Sequence, residues 1–105
     1  MPSISSNIFS KEKGLSGTGA DTTITLTNAN TAYQVPASIP TTDYVLVISN
    51  QSDTNITWGF QNTGTLGNLL VATTGLASMR LAGGQAIYAR CASAGKVLNY
   101  STKVV

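Results

Sequence analysis

The pattern of apolar and polar positions is clearest between Tyr44 and Phe60. Residues 44–48 are aromatic, β-branched or leucine without a break, which predicts a short strand covered on both faces. Residues 50–55 are polar and carry side chains that favour turns, so we expect the chain to reverse there. The strand that returns alternates between apolar and polar positions. Its apolar face carries Ile56, Trp58 and Phe60.

Further short strands are predicted on both sides of this segment. Residues 22–28 alternate so that Ile24 and Leu26 point inward while the threonines between them point outward. Turn-forming residues recur about every ten positions, which is typical of a sandwich or barrel. With Gly75 as a break, we predict strands at 31–35, 69–73, 77–81, 86–91 and 96–105. The sequence therefore predicts an all-β protein, an antiparallel β-sandwich of jelly-roll or Greek-key type, with a closed small barrel as the alternative.

The beginning of the chain differs in composition from the rest. Serine, glycine and lysine dominate there, and the apolar side chains are few and spaced apart. This composition predicts a flexible N-terminal arm at 1–21, followed by a single β-sandwich domain at 22–105. Such an arm either frays, as chain ends commonly do, or extends to lay its apolar residues on a neighbouring subunit. We favour the second interpretation, in which the anchors are Ile4, Ile8, Phe9 and Leu15.

The surface is expected to carry little charge. Charged residues make up 10% of the chain, against about 25% in an average soluble protein. A surface of serine, threonine, asparagine, glutamine and glycine is poorly protected against association, which suits a protein that is buried in an assembly, although a plain Thr/Ser-rich β-protein has the same composition. The net charge is +2, and the six basic residues are scattered, which argues against nucleic-acid binding. No apolar run has the length of a membrane span or the form of a signal peptide, so neither membrane insertion nor secretion is expected.

The residue types that carry out catalysis or bind metals are scarce. The chain has no histidine and one cysteine, Cys91, so neither a zinc site nor an internal disulfide is expected. Cys91 lies on the apolar face of a predicted strand, where a small buried side chain is its expected role. The polar turn offers calcium ligands in Asn50, Asp53 and Asn55, but without the spacing of an EF-hand loop. We therefore predict no enzymatic activity and no metal or cofactor.

The aromatic residues allow two interpretations. Trp58 and the four tyrosines would form a sugar-stacking platform if they shared one sheet surface. Because Trp58 stands between Ile56 and Phe60 on an apolar face, a place in the core or in a subunit interface is the better interpretation. We therefore predict Trp58 and Phe60 as interface residues. The four tyrosines are Tyr33, Tyr44, Tyr88 and Tyr100.

Three segments, taken in order, resemble a class of small virion proteins of tailed bacteriophages. They are TLTNANTAYQVP at 25–36, ISNQSDTNITWGF at 48–60 and LAGGQAIYA at 81–89. The resemblance is one of pattern and includes no catalytic signature. It implies a capsid decoration or cement protein, a β-sandwich that sits on the outside of the head and clamps adjacent major capsid proteins.

The resemblance gives the expected function. It implies a structural virion protein, made in the host cytoplasm and located on the capsid exterior, with the major capsid protein as its partner. It also implies a homo-oligomer, with a trimer favoured. The same pattern occurs in fibre and tail-associated modules, so a carbohydrate- or receptor-binding module of a phage head or tail fibre is the alternative.

Overall fold

The computed structural model of the protein describes residues 19–62 and 66–105. This part of the chain is all-β and contains no helix, so the predicted fold class is confirmed. The first strand begins at Gly19 rather than at residue 22, because residues 19–21 pair with the last strand. The strands are β1 (Gly19–Leu26), β2 (Tyr33–Val35), β3 (Tyr44–Asn50), β4 (Ile56–Gly59), β5 (Asn68–Leu70), β6 (Gly75–Leu81), β7 (Ile87–Cys91) and β8 (Lys96–Val104).

These strands form two antiparallel sheets of four strands each. The first sheet has the order β1-β8-β3-β6, and the second has the order β2-β7-β4-β5. The first strand pairs with the eighth, the second with the seventh, the third with the sixth and the fourth with the fifth. This is the strand order of a jelly roll. The structure therefore selects the jelly roll from the predicted sandwich types, and its two separate sheets rule out the closed barrel.

The hydrophobic core lies between the two sheets, where alternate residues of facing strands meet. Cys91 is a buried free thiol, as predicted. Two core tyrosines keep partners for their hydroxyl groups, as buried phenols require. The Tyr44 hydroxyl donates a hydrogen bond to the Gln85 carbonyl, and the Tyr100 hydroxyl accepts one from the Ala37 amide at 3.3 Å. The core residues are Leu26, Val35, Tyr44, Leu46, Ile48, Ile56, Leu70, Leu81, Ile87, Ala89, Cys91, Leu98 and Tyr100.

Gly75 begins a strand instead of breaking one, which corrects the prediction. The chain crosses from the second sheet to the first between β5 and β6, and the Gly75 amide donates a hydrogen bond to the Val71 carbonyl at 3.0 Å. A Cβ atom at position 75 would lie 2.5 Å from that carbonyl oxygen. Glycine is therefore needed for the close approach of the two backbones, and the strand continues from it.

Candidate functional site

Trp58 and Phe60 meet at the end of β4, and of the two only Trp58 packs against the core. Ile56 is fully buried and Trp58 packs against the core, so both face inward as predicted. Phe60 lies beyond the last residue of β4 and is 61% exposed, so the strand ends before it and its ring is not buried in the core. The two rings contact in a T-shaped arrangement, with centroids 5.8 Å apart and an interplanar angle of 77°. Phe60 thus extends the apolar surface of the core outward to solvent.

The five aromatic residues considered for a sugar platform do not share one surface. Tyr44 and Tyr100 are buried on the inner face of the first sheet. Tyr33 packs against the core from the second sheet, in register with Ala89, as does Trp58. Tyr88 neighbours Ala89 along β7 and therefore points to the opposite face. The stacking platform predicted as an alternative is therefore not formed.

A second apolar surface, which the sequence analysis did not identify, lies along β5 and β6. These strands end the two sheets and follow one another in the chain, so they share one edge of the sandwich. Leu69 is 58% exposed there, and Val71 and Leu76 are exposed as well. We call Leu69, Val71 and Leu76 the edge surface. The signal for it was the apolar run at residues 69–71, because a strand with one covered face cannot bury consecutive side chains.

The backbone of β6 is also open on its outer side. Within the described residues, β6 pairs with β3 alone, so the other side of this seven-residue strand carries unpaired backbone groups. Edge strands of this length readily accept a strand from another chain unless charges, prolines or bulges block them. The side chains of β6 include one charge, that of Arg80. Leu76 points to the outer face of the first sheet and Leu69 to the outer face of the second, because Ala77 and Leu70 beside them point inward. The edge surface therefore flanks the open β6 backbone from both sheets, and together they form a candidate interface.

The outer face of the first sheet has two different halves. Val45 and Val47 point away from the core cluster yet are 0% and 4% exposed, so the prediction that residues 44–48 are covered on both faces is confirmed. An open groove of about 580 Å³ begins at Val47, which lines it, and runs towards the other end of the same face. Its polar side chains include Asn99, Gln51 and the Asp21 carboxylate, which accepts a hydrogen bond from the Ser101 hydroxyl at 2.5 Å.

The polar turn between β3 and β4 is a structural unit. The buried Asn50 side chain donates hydrogen bonds to the Thr54 and Leu70 carbonyls, both at 2.9 Å. Its carbonyl oxygen accepts from the Ser52 amide at 3.0 Å and from the Ser52 hydroxyl at 2.6 Å. The Asn50 amide, whose donors and acceptor are all hydrogen-bonded as a buried polar group requires, therefore ties the turn to the end of β5.

The three side chains considered as calcium ligands are each engaged with protein groups. Asn50 holds the turn, and Asn55 accepts a hydrogen bond from the Ala72 amide at 2.8 Å. The Asp53 carboxylate contacts the Lys96 ammonium group at 2.8 Å. The hydrogen bond from Lys96 lowers the pKa of Asp53, and the same contact raises the pKa of Lys96. The geometry accounts for these groups as parts of the turn and does not support a calcium site.

The described part of the chain holds no cluster of three or more cysteine and acidic side chains that could bind a metal ion. The Cys91 thiol is buried and lies 3.5 Å from the Asn55 carbonyl oxygen. Burial raises the pKa of the Tyr44 hydroxyl to about 12. Across the described ranges there is also no helix that could span a membrane.

No protein-family model matches the chain, and no curated protein sequence matches it. The predicted arm anchors Ile4, Ile8, Phe9 and Leu15 lie outside the described residues.

Proposed function

We propose that this protein is a structural virion protein that binds the outside of a bacteriophage capsid and stabilises contacts between neighbouring major capsid proteins. The observation that carries this proposal is the candidate interface along β5 and β6. There, exposed Leu69, Val71 and Leu76 lie beside an unpaired strand edge, on a protein with few charges. The resemblance of residues 25–36, 48–60 and 81–89 to phage virion proteins supports the same function.

In this proposal, binding to the capsid is the sum of several weak apolar contacts. Burial of apolar surface contributes about 25 cal/mol per Å² removed from water, so three partly exposed side chains give one modest contact. Several such contacts to fixed neighbours reinforce one another, because each contact raises the effective concentration for the next. Phe60 adds a further exposed apolar side chain, beyond the end of β4. In this proposal the apolar residues of the arm reach a neighbouring subunit, and the protein assembles as a homo-oligomer, with a trimer favoured.

The test is co-sedimentation with capsids that lack the protein, together with the native mass by light scattering. We expect a stable oligomer that sediments with the capsids. Leu69→Ser and Leu76→Ser should each weaken capsid binding by about tenfold or more, the effect of removing about 1.4 kcal/mol of contact energy. Val97→Ser is the matched control, since Val97 is also exposed but lies on β8, away from this edge. A monomer that ignores capsids, or edge variants that bind like Val97→Ser, would reject the proposal.

A second candidate function is a carbohydrate- or receptor-binding module of a phage head or tail fibre. The observation that favours it is the groove on the first sheet, whose amide, hydroxyl and carboxylate groups surround the apolar side chains of Val47 and Leu76. Its volume of about 580 Å³ lies within the range of about 300–1,000 Å³ that is common for small-ligand sites. Titration with host polysaccharide, followed through the amide resonances of Asn99 and Gln51, tests it. Saturable shifts at those residues support this function, and unchanged spectra reject it.

A further inference from the structure

The groove on the outer face of the first sheet is built on two neighbouring rows of residues. In one row, Asp21, Ser101 and Val47 stand side by side on β1, β8 and β3. In the next row, Asn99 of β8 and Leu76 of β6 are two strands apart. All five residues line the groove. The distance across it from β1 to β6 is three strand spacings, about 14 Å at a spacing of about 4.8 Å, so a ligand that reaches both sides is longer than a single sugar ring.

The two sides of the groove differ in polarity. Asp21, Ser101 and Asn99 lie on the side formed by β1 and β8. Leu76, on β6 at the other side, is 55% exposed and gives the groove an apolar surface, while Val47 between the two sides is nearly buried. The groove therefore fits a ligand that has polar groups along one part and apolar C–H groups along another.

The polar side offers both acceptors and donors of hydrogen bonds. The Asp21 carboxylate only accepts, and it has sites for about four hydrogen bonds, of which the Ser101 hydroxyl takes one at 2.5 Å. The Asn99 amide both donates and accepts. Asp21 pairs with Ser101, two residues from Asn99 along β8, so Asp21 and Asn99 are diagonal neighbours about 7–8 Å apart. Because a hydroxyl group also donates and accepts, a ligand with several hydroxyl groups can bond to both side chains at once.

The charge of the groove disfavours an anionic ligand. Asp21 is the one charged residue among the described residues that line it. Arg80 and Lys103 stand on the same face in the row beyond Val47, about 7 Å further along the strands, and do not line the groove. Salt weakens their effect at that separation, because the screening length is about 8 Å at physiological ionic strength. An acidic group in the groove would therefore meet the Asp21 carboxylate at contact distance, with no cation among these lining residues to offset the repulsion.

We propose that this groove binds a neutral oligosaccharide, whose hydroxyl groups bond to Asp21 and Asn99 and whose apolar ring face lies on Leu76. The inference rests on the second candidate function, the binding of carbohydrate, and narrows its ligand to sugars without acidic groups. It does not need the capsid function, because neither of the polar side chains that it uses belongs to the edge surface.

The test is calorimetric titration of the full chain with neutral and acidic hexasaccharides. The neutral probes are hexasaccharides of glucose, of galactose and of mannose, and the acidic probe is hexagalacturonate, which differs from the galactose probe in carrying a carboxylate on each ring. We expect saturable binding of a neutral probe, and binding of hexagalacturonate that is weaker by about tenfold or more. Hexagalacturonate bound as tightly as the neutral probes would overturn the inference while the carbohydrate function stands. No binding of any probe would reject both.

Two pairs of variants locate the binding in the groove. Asp21→Asn replaces the charged acceptor with an amide of equal size and should weaken binding of the neutral probe by about tenfold. Asp43→Asn is the matched control, because the Asp43 carboxylate accepts a hydrogen bond from the Gly83 amide outside the groove. Leu76→Ser should also weaken binding, whereas Val97→Ser, at an exposed position of the same sheet outside the groove, should not.

The substituted residues of the groove are exposed, so the domain should stay folded in both variants. Affinities of Asp21→Asn and Leu76→Ser that equal those of their controls would overturn the assignment to this groove. If either variant does not fold, the comparison of neutral and acidic probes on the unaltered protein decides the inference.

Discussion

The central strands of the two sheets differ in how their outer faces meet solvent. Both β3 and β7 have a strand on each side, and both send alternate residues into the same core. In β3 every residue from Tyr44 to Ile48 is buried, whereas in β7 the buried residues alternate with half-buried Tyr88 and Arg90. Strand pairing is therefore not what buries Val45 and Val47. The comparison shows that an uninterrupted apolar run in an antiparallel sandwich indicates a second cover, in addition to the opposite sheet.

A substitution on the inner face of β3 should cause the largest loss of stability. Leu46 is fully buried in the core between the sheets, so Leu46→Ala removes core contacts and leaves a cavity. We expect a loss of about 2–5 kcal/mol in the free energy of unfolding, measured by chemical denaturation. Leu76→Ala, at an exposed position of the neighbouring β6, is the control and should change stability by less than about 0.5 kcal/mol. Equal effects of the two substitutions would contradict the assignment of the inner face.

Asn50, a polar residue, ends the same inner face of β3. Its substitution should cause the next largest loss of stability. Asn50→Ala removes both donors and the acceptor that hold the turn, leaving the Leu70 and Thr54 carbonyls without that amide. Because an unsatisfied buried polar group costs about 1–3 kcal/mol, we expect a loss of about 2–3 kcal/mol. Gln51→Ala, at the exposed next residue, should be nearly neutral. An Asn50→Ala variant as stable as Gln51→Ala in the same denaturation experiment would show that the turn does not need the amide.

The outer face of β3 provides the direct test of the comparison. Val45→Thr replaces a methyl group with a hydroxyl of similar size at a fully buried position. We expect a loss of about 1–2 kcal/mol, because the hydroxyl gives up its water under an apolar cover. Val97→Thr is the matched control on the same face of the same sheet, where the side chain is 39% exposed. If the two variants are equally stable, Val45 is open to water in solution and the contrast with β7 disappears.

These residues show how far the sequence alone could lead. Alternation predicted the inward residues Ile24, Ile56 and Trp58 correctly, because which face a side chain occupies is a local property of an extended strand. The unbroken run at 44–48 correctly predicted cover on both faces. Alternation did not predict that Phe60 is exposed, because the end of β4 is set by pairing, and Gly59, opposite Tyr88, is the last paired residue.

The apolar run at residues 69–71 signals an exposed apolar side chain, but the sequence does not show that it lies at a sheet edge. Leu69 is exposed because it points away from the core that buries Leu70, and Val71 follows the last residue of β5. Their place at an edge depends on strand order, which is a property of the whole topology. Gly75 was taken for a break because its close approach to Val71 depends on how the chain crosses between the sheets. The sequence therefore predicted inward residues within single strands, such as Ile24 and Ile56, but not which strands lie at the edges.

Tyr44, the first residue of β3, should make the stability of the fold depend on pH in the alkaline range. Burial raises the pKa of Tyr44 to about 12 from its ordinary value of 10.0. The folded state therefore favours the neutral phenol, and this part of the stability is present below pH 10 and is lost as the pH rises towards 12. Tyr44→Phe, which also loses the hydrogen bond to the Gln85 carbonyl, should be modestly less stable at neutral pH and should show a smaller decline between pH 10 and 12. Denaturation curves that decline equally for both proteins would argue against the buried phenol.

The smallest effect is expected at the solvent-exposed ion pair between Asp53 and Lys96, where neither face of the sheet is involved. Lys96 lowers the pKa of Asp53 from 3.8, so the stabilisation is present above that pH and is lost as the pH falls through the lowered value. Because the Asp53 side chain is 78% exposed, salt and water screen the interaction. Asp53→Asn should shift the thermal midpoint only slightly at pH 7, and less still in high salt. A shift as large as that of Val45→Thr would contradict the expectation that this exposed ion pair contributes less to stability than the buried outer face of β3.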